Sequence, residues 1–292
     1  MVTGSRGKSS LVRLITAGLS EIGLNVRGRI TGVLPRELTP TGERVITRHA
    51  PGHVEEMRWW LRGVPADVDA IVMENSAVSP DLQHLAALWL NPTLVVWTNS
   101  RPDHQDAWGD GEQAAMRALS RGIPFGCPLV SGDALNSQSG YRASNIALAE
   151  AALETMGFLC DKARAAMRAL GPDIADFRVF DLGDGAMLAT AFSANDLEST
   201  TNLFSLLGWD SSETCVLYSD RRDRPARLRS FASFLSRPWR EVRVLRGREK
   251  EDEVTEWTRG KRVFGCGNVA GLPLRIIVKL IGGGRRWTMP GL

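Results

Sequence analysis

The first ten residues, Met1-Val2-Thr3-Gly4-Ser5-Arg6-Gly7-Lys8-Ser9-Ser10, have the types and spacing of a phosphate-binding loop. Gly4 and Gly7 let the backbone turn with its N–H groups facing inward, towards a polyphosphate. Lys8 supplies a point charge for the outer phosphates, and Ser9 a hydroxyl of the kind that binds Mg²⁺. Ser5, Arg6 and Ser10 complete the cradle. Apolar residues recur at helical spacing from Leu11 to Leu19, so the loop opens a helix whose N-terminus favours anions. The spacing between the glycines is shorter than in the common G-x-x-x-x-G-K-[ST] form, and the competing reading is a glycine turn capped by serine. Only Met1 and Val2 precede Thr3, too few for the buried strand that should lead into such a loop. The expectation is a chain whose start is lost, or a loop that is poorly held.

Other chemistry-bearing residues follow apolar runs. Glu74 ends the run Val68–Met73, and Thr98-Asn99, with Asp103 and His104, follows Leu94–Trp97. Oxygen ligands suit Mg²⁺, and an imidazole suits a second divalent ion, so Ser9, Glu74 and His104 form the candidate metal set. Helix capping or turn chemistry is the alternative for Glu74, Asp103 and His104. Asn145 opens a helix of small residues, Ser144 to Ala152, where it either touches a nucleotide or only caps the helix.

Short apolar runs alternating with helical patterns predict an α/β fold. A mostly parallel sheet carries the phosphate loop, with ligands at the carboxyl ends of its strands. Predicted strands are 25–30, 68–73, 94–97 and a short region in 123–130; predicted helices are 55–61, 81–90 and 109–121. Thr31 to Pro51 reads as a loop or hairpin. Its neighbours Arg27, Arg29, Arg36 and Arg48 suit a polyanion or form solvated surface. The pattern restarts at Gly171-Pro172-Asp173, giving domains 1–172 and 173–292, the second a smaller Rossmann-like α/β domain. Its strands are predicted at 187–191, 215–218, 242–245 and 262–264, and its helices at 197–207, 226–235 and 272–280. Asn195 and Asp196 lie at a helix start, and Arg221 and Arg224 follow a strand, where guanidinium forks suit phosphate or a charged turn is simply solvated.

The 292 residues include 43% hydrophobic and 24% charged side chains, which fits a globular protein with ample core. A net charge of +3 is too small to argue for nucleic acid. The four cysteines, Cys127, Cys160, Cys215 and Cys266, form no C-x-x-C pair, so reduced thiols in a cytosolic protein fit best. No apolar stretch reaches the ~18 residues of a membrane span. A phosphate loop stands where a signal peptide would be.

Taken together, these stretches resemble the Mur ligase superfamily, and within it the ligase subunit of poly-γ-glutamate synthase, the PgsB/CapB family. Thr3 to Ser10 is similar to its short loop T-G-T-x-G-K-[ST]. Thr31-Gly32 with Pro35-Arg36 resembles the region after its first helix, and Glu74 stands where it places a magnesium-binding glutamate. Thr98-Asn99 with Asp103-His104-Gln105-Asp106 resembles T-N-x-x-x-D-H-x-D, and Asn145 lies in a pattern whose asparagine contacts adenine. Ala194-Asn195-Asp196 with Ser199-Thr200, Arg221 to Arg224, and Gly267 to Gly271 resemble motifs of the last domain.

The resemblance implies ATP bound between the domains with Mg²⁺, and a substrate carboxylate that becomes an acyl phosphate before an amine displaces phosphate. Closure of the second domain would exclude water. Lys8, His104, Arg221 and Arg224 are the implied catalytic residues. Gly4 to Ser10, Asn145, Asn195 and Asp196 are the implied nucleotide-binding residues. Glutamate or a γ-glutamyl chain is the implied substrate, and small integral-membrane synthase subunits are the implied partners. A homo-oligomer is allowed, nucleic acid is not expected, and the implied location is cytoplasmic, peripheral at the inner face of the membrane.

Four features depart from the family: the absent first strand, a shorter chain, Gln105 in place of the usual leucine, and no lysine between Lys8 and Lys162 to serve as a carbamylated metal bridge. The absent strand and the shorter chain support a second reading, a non-catalytic nucleotide-binding subunit of a membrane polymer synthase complex, while the missing lysine bears on a second metal site. A P-loop kinase or transport ATPase is a third, opposed by the second-domain motifs.

Overall fold

The computed structural model describes residues 1–32, 34–48, 52–102, 104–134, 140–194, 196–220 and 225–290. The chain divides into two compact units, Met1–Gly171 and Pro172–Leu292. The first unit runs β1 (Val2–Thr3), α1 (Lys8–Glu21), β2 (Val26–Ile30), β3 (Arg36–Thr39), β4 (Gly42–Val45), α2 (Glu55–Gly63), β5 (Ala70–Met73) and α3 (Pro80–Leu90). It continues with β6 (Val95–Trp97), α4 (Gln105–Trp108), α5 (Glu112–Ser120), β7 (Leu129–Ser131), α6 (Gly140–Thr155) and α7 (Asp161–Ala169).

Three strands stand in the order β1-β6-β7 and four in the order β4-β3-β2-β5. A parallel bridge between Val2 and Glu74 and a hydrogen bond from Asn75 N to Val2 O (2.8 Å) join the two groups. The expectation of a missing first strand is therefore corrected. Two residues suffice, because Val2 and Thr3 pair with Val96 and Trp97 on one side and meet the end of β5 on the other. Val2 and Thr3 are fully buried. The polar segment after β2 folds as an antiparallel hairpin, β3–β4, on the edge of the sheet. Helix α1 buries Leu11, Val12, Leu14, Ile15 and Leu19. They join Leu148, Leu153, Ala163 and Met167 of α6 and α7 in one core. Each buried Leu, Ile, Val or Met side chain there contributes roughly 1.5–3 kcal/mol.

The second unit runs β8 (Val179–Gly183), β9 (Ala186–Thr190), α8 (Leu197–Ser205), β10 (Thr214–Ser219), α9 (Pro225–Ser230), α10 (Ala232–Leu235) and β11 (Glu241–Leu245). It ends with α11 (Glu251–Thr258), β12 (Arg262–Cys266), α12 (Leu272–Gly282) and β13 (Trp287–Thr288). Its sheet has the order β11-β10-β12-β9-β8-β13. The first four of those strands are parallel, while β8 and β13 add antiparallel edges. Its core is aromatic: Phe204 meets Trp239 edge-on at 4.7 Å and Phe264 at 5.2 Å between ring centroids.

Candidate active site

The phosphate loop leaves β1 at Thr3. Gly4 has φ 124° and Gly7 φ 82°, both in the region that side chains avoid. Space demands glycine as well. A Cβ on Gly4 would overlap Thr98 Oγ1 and lie 2.9 Å from Asn99 O, and one on Gly7 would lie 3.0 Å from Asn145 Oδ1. The loop is laced to the segment after β6. Ser5 N donates to Asn99 O (2.9 Å), Ser5 Oγ to Arg101 O (2.7 Å) and Asn99 Nδ2 to Arg6 O (3.3 Å). A poorly held loop is thus not what folds. Lys8 Nζ donates to Gly4 O (2.6 Å) and Ser5 O (3.2 Å), which curls the ammonium back over the loop. Helix α1 starts at Lys8, so its first-turn amides and positive dipole end sit at the same place.

Glu74, at the carboxyl end of β5, is 1% exposed. Its Oε2 accepts from Ser9 Oγ (2.9 Å), and its Oε1 accepts from both the amide and the hydroxyl of Thr31. Thr31 follows β2 and holds the carboxylate from the far side. Sequence reasoning gives Thr31 no role, because a threonine after a strand carries no signal of its own. Hydroxyl and carboxylate oxygens are hard donors, so this cluster fits Mg²⁺ bound together with phosphate oxygens.

Among the described residues, no three His, Cys, Asp or Glu side chains gather into a metal-holding group. His104 takes φ 47°, opens α4, and packs its ring 5.1 Å from that of Trp108, which is anchored through Nε1 to Val78 O (2.6 Å). Asn145 lies inside α6, which begins at Gly140, so it does not cap that helix; its side chain abuts Gly7. In the second unit Asp196 caps α8, its Oδ1 accepting from Ser199 N (2.7 Å). Asp103, Asn195, Arg221 and Arg224 lie outside the described residues.

The arginines near the hairpin are ion-paired rather than merely solvated. Arg36 meets Glu43 at 2.6 Å, Arg44 meets Glu37 at 2.5 Å, and Arg27 lies 3.9 Å from Glu37. Arg29 is 1% exposed and donates through Nη2 to Glu56 Oε2 at 3.0 Å. Burial pushes its pKa down, while the Glu56 carboxylate opposes that shift. Arg48 grips the same oxygen through Nε (2.9 Å) and Nη2 (2.7 Å).

The family described as Mur ligase middle domain matches residues 2–122. The family described as poly-gamma-glutamate synthase CapB C-terminal domain matches residues 178–251. The chain joins a Mur ligase middle domain to a CapB C-terminal domain. It is thereby an enzyme of the ATP-dependent, amide-bond-forming ligase class. It is similar to the PGA synthase CapB of Bacillus subtilis (strain 168), at 27% identity over 304 residues, covering 89% of this chain and 77% of that one. It is also similar to the capsule biosynthesis protein CapB of Bacillus anthracis, at 25% identity over 272 residues, covering 79% of this chain and 59% of the relative. The fold resembles that of E. coli FolC in complex with DHPP and ADP, with a TM-score of 0.65 and 14% identity over 97% of this chain and 88% of that one. In this Mur ligase domain the loop, Ser9 and Glu74 meet where β1 and β5 end side by side. No helix among the described residues is long and apolar enough to cross a membrane.

Proposed function

We propose that this chain activates the carboxylate of glutamate, or of a growing γ-glutamyl chain, as an acyl phosphate and joins it to an amine, elongating poly-γ-glutamate. The observation that carries the reading is the Ser9–Glu74 pair, 2.9 Å apart, at the mouth of a phosphate loop. In this reading a substrate carboxylate oxygen attacks the γ-phosphorus of ATP and ADP leaves. The amine nitrogen then attacks the acyl carbon, loses a proton and expels inorganic phosphate. The loop amides and Lys8 bind the phosphates and offset the charge that builds on them. Ser9 and Glu74, steadied by Thr31, would hold Mg²⁺, which supplies Lewis-acid neutralisation of the phosphate oxygens when bound. His104 and Asn145 serve the metal and the nucleotide respectively.

Small membrane subunits of a synthase, and a location at the inner face of the membrane, belong to the same proposal and draw on the likeness to CapB proteins. The reading as a non-catalytic subunit draws on a missing first strand and a shorter chain; β1 is present and paired on both sides, which removes the first of these grounds and favours catalysis.

The test is ADP release by the purified chain with Mg²⁺, with and without glutamate, together with mass spectrometry of the product. Glutamate-dependent ADP release with an amide product is expected, and Lys8→Ala should abolish both. Wild-type turnover in that variant would overturn the site assignment.

A further inference from the structure

We infer that Arg48, held by Glu56 and Arg29, is the seat for the α-carboxylate of the glutamate being activated, and so directs activation to the γ-carboxylate. The inference rests on the ligase reading above.

The observations concern charge. Arg29 and Arg48 both converge on a single carboxylate oxygen, Glu56 Oε2, at 3.0 Å and 2.7–2.9 Å. Both guanidinium groups therefore bond the same carboxylate. The next carboxylate, Glu74, also favours the charged form of Arg29, while its oxygens accept from the neutral donors of Ser9 and Thr31. An anion that docks at this cluster needs guanidinium donors that are both unbonded and reachable. Arg29 cannot receive that anion directly: it is fully buried, and its Nε and Nη1 make no hydrogen bond among the described residues. Arg48 can, because its side chain is 25% exposed. Its bonds to Glu56 and to Thr31 O (Nη1, 3.4 Å) leave one donor on each Nη, the arrangement that grips a carboxylate with two parallel bonds.

Position supplies the substrate class. Thr31 accepts from Arg48 through its carbonyl and donates to Glu74 through its amide and hydroxyl. The cationic seat is therefore one residue removed from the carboxylate assigned to Mg²⁺. Glutamate carries two carboxylates a side chain's length apart. One bound at Arg48 leaves the other to reach the γ-phosphate beside Glu74. An enzyme without such a seat would have little means to tell γ from α. Arg29 and Glu56 act here as positioning residues, fixing the plane of the Arg48 guanidinium.

The test uses hydroxylamine as the amine, so that only the activated carboxylate is selected. Glutamate, ATP and hydroxylamine would give the γ-hydroxamate, ADP and phosphate. Wild-type protein is expected to favour glutamate over its α-methyl ester by roughly 10- to 100-fold in kcat/KM, the range for one charged hydrogen-bonded contact. Arg48→Gln should lose that factor for glutamate, leave the ester rate unchanged, and keep the KM for ATP within about twofold. Equal use of acid and ester by the wild type would overturn the inference without any variant. So would a variant that slows both equally, which is how a merely structural arginine behaves. Absence of any hydroxamate and ADP from the wild type would instead refute the ligase reading itself.

Discussion

Replacing Glu74 by Gln separates the metal role of this residue from a purely structural one. In the protein without ligand, Gln Oε1 can still accept from the amide and hydroxyl of Thr31. The Ser9 hydroxyl, 2.9 Å from the other oxygen, can rotate to accept from the new NH₂. A charge at 1% exposure is removed and its shape kept; the lost attraction to Arg29 and the relieved cost of burying the charge oppose each other, so stability should change by no more than about 1 kcal/mol. Binding of Mg²⁺-ATP should suffer far more. Loss of one charged ligand is worth about 100-fold in affinity. At a ligand concentration near 100 times the wild-type Kd, bound nucleotide stabilises the wild type by about 2.7 kcal/mol, against about 0.4 kcal/mol for the variant. For a unit the size of Met1–Gly171, that is a rise in Tm of roughly 5–10 °C against about 1 °C. The assay is thermal unfolding with and without Mg²⁺-ATP. A variant that keeps the full nucleotide-induced rise would refute the assignment. One whose ligand-free Tm collapses would show that Glu74 is chiefly a structural anchor.

Gly4→Ala combines a disallowed φ of 124° with an overlap on Thr98 Oγ1, so it should destabilise the first unit by about 2–4 kcal/mol, readable as a lowered urea midpoint. The thiols should sort by exposure: Cys160 is exposed and should react at once with a disulfide reagent at pH 8. Cys215 and Cys266 are buried, and burial pushes both thiols up, so they should react only after unfolding, counted by absorbance in native and denatured protein.

Much of this was legible in the sequence, because the loop, helix α1 and the apolar runs of β5, β6, β10 and β12 carry strong local patterns. What escaped had weak local signals. Helix α11 buries only Val254 and Thr258 and carries four acidic residues among its eight, and α7 takes four of its nine residues from alanine, so neither shows an apolar stripe. Strands β8 and β13 form only because a neighbour offers an edge, which is a tertiary fact. Strand β1 is too short to show a pattern, yet two residues are enough when both sides are paired. In the site, the loop and Glu74 were named from their types. The pairing of Thr31 with Glu74 and the convergence of Arg29 and Arg48 on Glu56 needed the fold, since 43 and 27 positions separate Glu74 from Thr31 and Glu56 from Arg29. The arginines were visible as charges, but nothing local showed which were buried.

The two-residue strand β1 has a mechanical consequence. It is the seam between the β4-β3-β2-β5 and β6-β7 portions of the sheet, and it is continuous with the loop. Val96 N to Met1 O, Thr98 N to Thr3 O and Asn75 N to Val2 O, each 2.8–2.9 Å, are among the few bonds that cross it. A seam this short opens at a lower free energy than the longer ladders beside it. Polyphosphate gripped by residues 4–10 would lock that opening. Slower amide exchange at Thr98 and Asn75 would then report nucleotide arriving on the other side of the strand, so the substrate acts as a clasp on the sheet that binds it.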